Sequence, residues 1–137
     1  MTQEQRIATS LLLLRIGVFV VMFMWTLDKF VRPGHAGAVY ETFYGIGGMG
    51  PAALYAVAGV EMLILLGFLL GVLKRWTYGA VLLFHGVSTL SSYKQYLAPF
   101  SEGPNLLFFA AWPMLAACIA LYLLRDLDTR WTLGRNT

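Results

Sequence analysis

Charge is what this chain has least of. Only 10 Lys and Arg and 7 Asp and Glu are spread over 137 residues, of which 58% are hydrophobic, and the mean hydropathy is +0.67. Soluble domains carry about a quarter charged residues, so the composition excludes an ordinary water-soluble globule and points to a bilayer. Cysteine is nearly absent as well. Cys118 stands alone, which excludes an intramolecular disulfide and any CxxC redox or metal motif. HExxH, P-loop and nucleophile-base patterns are missing, and His35, Glu41, His85 and Cys118 lie too far apart to give metal-ligand spacing. A complete enzyme built by this chain alone is therefore not expected, nor a metal site. Long basic runs are lacking too. The net charge of +3 comes from short Lys and Arg clusters between apolar stretches, which suits membrane topology better than nucleic-acid binding.

What is present is four apolar runs of about the 20 residues needed to cross a hydrocarbon core. They fall at about 7–28, 52–73, 76–97 and 105–125. Pro33 and Gly34 stop the first, Pro51 opens the second, Pro99 ends the third and Pro113 predicts a kink in the fourth. The N-terminus lacks a clear cleavage site after its apolar run, so it reads as an uncleaved first span. The expected fold is all-α: one transmembrane domain over 1–137, an integral membrane four-helix bundle. Arg6, Lys74, Arg75, Arg125, Arg130 and Arg135 fall on one side of it, and Lys29, Arg32 and Lys94 on the other. The positive-inside bias then puts both termini of this multi-pass protein in the cytoplasm, and the membrane expected for it is a bacterial inner membrane. In the long first outer loop Val39, Tyr40, Phe43 and Tyr44 recur at helical spacing, predicting a short interfacial helix. The following "GIGGMG" matches a dinucleotide fingerprint formally, but no strand precedes it and the next helix is a span; flexible turning backbone is the better reading. Gly67 and Gly71 form a GxxxG suited to close helix packing, and the scattered methionines suit core filling better than copper binding.

Polar residues stand where polarity is expensive. Arg15 and His85 sit roughly 12 Å deep from the predicted inner ends and Glu61 roughly 18 Å, at 1.5 Å per residue. An ion pair between Arg15 and Glu61 would offset the cost of burying either, with His85 beside them. His85, Ser88, Thr89, Ser92 and Tyr96 draw one polar stripe along the third span. Arg15, Met22, Thr26 and Lys29 share a face of the first. Turned inward, these stripes would line a cleft, with Arg15, Glu61, His85, Ser88, Ser92 and Tyr96 as the buried cluster and Asp28, Lys29 and Lys94 at its mouth. Helix packing alone also selects such residues, because Ser and Thr bond their own i−4 carbonyls and ions pair for structural reasons. His35 reads as a solvated loop residue.

The segments "RIGVFVVMFMWTLDKF" (Arg15 to Phe30) and "GVEMLILLGFLLGVLKR" (Gly59 to Arg75), with four spans in a chain of this size, resemble the DoxX-like family of small membrane proteins. That resemblance implies a four-helix membrane bundle linked to redox physiology. Some relatives look like small subunits of thiosulfate:quinone oxidoreductases and others are accessory proteins for assembling periplasmic redox enzymes. The matching positions are Arg15, Lys29 and Glu61. The expected function is a subunit or accessory protein of a membrane redox system, binding quinone or a similar amphiphile in the cleft. Its expected partners are the lipid bilayer, a protein of the redox complex and a second copy of the chain. An assembly scaffold for an enzyme complex and a small transporter or lipid carrier are the alternatives.

Overall fold

The computed structural model describes residues 1–48 and 50–133; Met49 and Arg135, which figure in the sequence reading, lie outside the described residues. The described chain is helical without strands. The first helix, α1 (Gln3–Val31), opens on a capping box: the Thr2 hydroxyl accepts from the Gln5 amide at 3.1 Å and the Gln5 side chain accepts from the Thr2 amide at 2.9 Å. It stops before Pro33, because a residue preceding proline is driven out of helical backbone. Pro33 then serves as the first residue of α2 (Pro33–Tyr44), which ends at Gly45 in the left-handed region (φ 69°). The predicted short helix in the first loop is therefore present, and longer than its apolar spacing indicated.

Next comes α3 (Pro51–Leu69), again opened by proline, then α4 (Lys74–Ser91), the short α5 (Tyr93–Leu97) and α6 (Ala111–Leu123). Single 3-10 stretches lie at Asn105–Ala110 and Arg125–Leu127. α1 packs on α3, α3 on α4, α4 on α6, and α6 back on α1, while α2 crosses α1 and α3. Leu65, Phe68, Val81 and Leu121 fill the middle, and the Phe68 and Tyr78 rings meet edge to face at 4.9 Å.

Three helical stretches are long and apolar enough to cross a membrane: Gln3–Val31, Pro51–Leu69 and Asn105–Leu123. The expected third span differs from its forecast, since 76–97 is broken at Ser92 into α4 and α5. α4 is also less apolar than the other three long helices because Lys74 and Arg75 open it and His85, Ser88 and Thr89 lie on it. Polar side chains share the interior with the apolar core, and large apolar side chains also face outward. Arg15, Thr26, Lys74, His85, Thr89 and Asp128 are buried, whereas Leu13, Leu63, Leu83, Leu90, Leu107 and Leu123 are each more than half exposed. Buried polar groups together with a broad exposed apolar surface are the informative departures from a soluble globule, and they suit a membrane protein.

Two proline and glycine expectations change in detail. Pro113 stands just past a change of helix type within the fourth stretch: 3-10 structure runs to Ala110, and the proline lies in the first turn of α6, where the missing amide costs little. Gly71 is a turn residue at φ 65° beyond the end of α3, not part of a helical GxxxG face. Gly67 does serve close packing, for a Cβ there would stand 2.9 Å from the Thr77 methyl carbon. Replacing Gly67 with Val is accordingly expected to cost about 1–3 kcal/mol by overpacking. Thr77→Ser, which keeps the hydroxyl that donates to the Val72 carbonyl at 3.0 Å and removes the methyl, should recover part of it. Thermal unfolding of the single and double variants in detergent checks both.

Candidate functional site

Arg15 and Glu61 do not meet. Their positions on the helices separate them into two polar centres. Lys29, the partner of Glu61, lies 14 residues beyond Arg15 on α1, roughly 21 Å at the helical rise.

The first centre ties down the C-terminal segment. Arg15 is 1% exposed and donates through Nη1 to Asp128 Oδ1 at 2.5 Å and through Nη2 to the backbone carbonyls of Arg130 (2.7 Å) and Trp131 (3.3 Å). Tyr78 donates its phenol proton to the other Asp128 oxygen at 2.5 Å. Lys74 donates to the Arg125 carbonyl at 3.1 Å and to the Asp128 carbonyl. The Leu133 amide donates to the Leu70 carbonyl at 2.8 Å, and a Cβ on Gly71 would collide with Thr132. The segment after α6 is thus laid across α1 and the α3–α4 turn. The charge of Arg15 is paired and both its terminal nitrogens donate, only its buried Nε lacking a partner among the described residues, so the pair offsets much of its own desolvation and presents little to a ligand.

Asp128 is the residue that sequence reading missed. Apolar periodicity reports which helix faces turn inward but not that a polar tail folds back. A signal did exist, since Asp126 and Asp128 stand in an otherwise basic tail on the predicted side nearer to Arg15 than Glu61 is.

The second centre joins α1, α2 and α3. Glu61 Oε2 accepts from Lys29 Nζ and from the Thr26 hydroxyl, both at 3.0 Å, and Oε1 accepts a longer 3.4 Å bond from the Tyr40 hydroxyl. The side chains of Lys29 and Glu61 are 12% and 18% exposed. Burial first, and then the adjacent Glu61 carboxylate, push the Tyr40 phenol above its ordinary pKa, so it stays a proton donor. Toward the mouth, Asp28 accepts from Arg32 Nε and from His35 Nδ1, each at 2.7 Å. His35 therefore belongs to α2 and not to a loop, and although solvated as expected, with its side chain half exposed, it has a partner.

Two adjoining cavities lie beside this second centre. The larger, about 800 Å³, is lined by Glu61, Lys29, Tyr40, Asp28, Arg32 and His35 along with apolar side chains. The smaller, about 570 Å³, is almost wholly apolar, with Leu13, Leu14, Val21, Leu107 and Met114 in its wall. Trp25, His85, Ser88, Ser92 and Phe108 line both, so they form the seam between two lobes of one cleft. The Trp25 and His85 rings lie 6.0 Å apart and 21° from parallel, giving the seam a flat aromatic edge.

Of the expected cluster, the cleft gathers Glu61, His85, Ser88 and Ser92, and at its mouth Asp28 and Lys29. Three residues are corrected. Arg15 is held by the C-terminal segment and lines neither cavity. Tyr96 packs its ring on Phe109 and Trp112 at 5.4 and 5.3 Å instead of reaching the cleft. Lys94 is exposed on α5, beyond the helix break, and lines neither cavity. The i−4 alternative is realised for two hydroxyls: Thr89 donates to the His85 carbonyl at 2.8 Å and Ser92 to the Ser88 carbonyl at 3.1 Å.

Fold and site together give a helical chain with three helical stretches long and apolar enough to cross a membrane, and a two-lobed, largely apolar cleft with a polar seam. Comparison with known protein families, with curated proteins and with solved structures finds no significant match.

Proposed function

We propose that the chain is an integral membrane subunit or accessory protein of a membrane redox system, DoxX-like in organisation, which holds a quinone-class amphiphile in the cleft. Four helices cross the bilayer in this reading, α4 being the fourth, with both termini in the cytoplasm of a bacterial inner membrane and α2 lying at the outer interface. The observation that carries the reading is the pair of lobes meeting at Trp25, His85 and Ser88. Ligand sites of this size are mostly apolar with a few convergent polar groups. A ring with an apolar tail has that same division, ring at the seam and tail along the smaller lobe. The apolar belt would seat the bundle in lipid, and a protein partner carrying the redox cofactor would dock outside the cleft.

Extraction of the purified protein, prepared in native lipid, tests this. Wild-type protein should retain quinone-class lipid near one equivalent. Ser88→Trp, which places an indole across the seam, should lower the retained amount at least about tenfold, the loss expected when a ligand's central contacts are blocked. A folded wild-type protein without such lipid, or equal retention in both proteins, would remove the proposal.

A further inference from the structure

The hydrogen-bonding sense of the seam says which form of ring the cleft selects. Quinone carbonyls require donors, yet the Arg15 guanidinium and the Ser92 hydroxyl are committed elsewhere. Arg15 serves Asp128, and Ser92 serves the Ser88 carbonyl. His85 is 1% exposed, and its Nε2 lies 2.9 Å from the Ala111 carbonyl oxygen, which can only accept. Nε2 therefore carries the proton. In the neutral imidazole that leaves Nδ1 as an acceptor, and Nδ1 is buried without a hydrogen-bond partner among the described residues. An unmet buried acceptor is costly, and a ligand hydroxyl relieves it where a carbonyl adds a second lone pair facing the first.

Resting on the quinone-class reading above, we infer that His85 Nδ1 is the acceptor for a ring hydroxyl, so that the cleft selects the reduced, phenolic form of its amphiphile over the quinone. The selection is made at His85 alone. The Ser88 hydroxyl serves a hydroxyl or a carbonyl equally. In the larger lobe the Glu61 and Lys29 pair offers both an acceptor and a donor, so neither form is favoured there.

The test uses the whole protein in lipid nanodiscs, anaerobically, with three probes that share one decyl tail: a benzohydroquinone, the corresponding benzoquinone and the dimethyl ether of the hydroquinone. Partition into empty nanodiscs is subtracted. The hydroquinone should bind about tenfold more tightly than either other probe, the worth of one buried hydrogen bond. The ratio should fall to about one in His85→Leu. In wild-type protein labelled with ¹⁵N-histidine, the bare Nδ1 resonance of His85, assigned with His35→Gln, should move on adding the hydroquinone and not the ether. That measurement decides the matter if His85→Leu does not fold. Quinone binding as tightly as hydroquinone, or a ratio that survives in folded His85→Leu, would overturn the selection and leave the cleft as a quinone-class site. Failure of all three probes to bind folded protein would overturn both.

Discussion

Replacing Asp128 with Asn should destabilise the protein by about 3–5 kcal/mol, the typical cost of removing one partner from a buried ion pair. Asn keeps the shape of the side chain but leaves the Arg15 guanidinium, itself 1% exposed, without a counter-charge. Tyr78 loses a charged acceptor at the same time. The loss is large because the alternative to pairing is an isolated cation away from water, which no rearrangement of a packed bundle provides for. Arg15→Met combined with Asp128→Leu should recover most of the stability, since apolar replacement of a whole buried pair is often neutral. Unfolding of the three proteins in mixed micelles measures this. An Asp128→Asn protein within about 0.5 kcal/mol of wild type, the usual range of an indifferent surface change, would mean that the tail does not hold Arg15.

The second large effect belongs to Glu61. Glu61→Leu removes the acceptor shared by Lys29, Thr26 and Tyr40 and should cost about 2–3 kcal/mol, the range for hydrogen bonds to a charged group. It should cost less than the Asp128 change, because Lys29 keeps some contact with its surroundings at 12% exposure. Its location is as telling as its size. Tyr40 is the contact from α2 to this centre, so amide exchange over 33–44 should rise while α3 and α6 keep their protection. Asp28→Asn is the control. Its partner Arg32 is 63% exposed, so that change should stay within about 1 kcal/mol.

The helices were legible because bilayer-length apolar runs and prolines are local signals. Pro51 marks a helix start where expected, Pro33 ends the first helix as expected but also opens the next, and the spacing of Val39, Tyr40, Phe43 and Tyr44 announced α2. The break at Ser92 was hidden, since the stripe from His85 to Tyr96 keeps perfect helical register in the sequence while the backbone departs from it at one residue. At the site, the sequence identified Glu61, His85, Ser88 and Ser92 as inward-facing and placed Lys29 at the mouth. It paired the ions wrongly. Depth along a helix can be counted, but rotation between helices and the return of a tail are set by tertiary packing. Asp128 therefore took Arg15, and Lys29 took Glu61. His85 kept its place in the cleft, but its partner, a backbone carbonyl on α6, was invisible to side-chain patterns.

The most direct trial of the cleft as a ligand site is photolabelling in native membranes with a quinone-class probe bearing a small diazirine on its ring, followed by mapping of the labelled residues. Labels should concentrate on Trp25, His85, Ser88 and Phe108, the seam shared by both lobes, and should diminish when unlabelled ligand is added. Labels spread over the outward apolar belt at Leu63, Leu83 and Leu123, undiminished by competitor, would contradict a cleft-bound amphiphile.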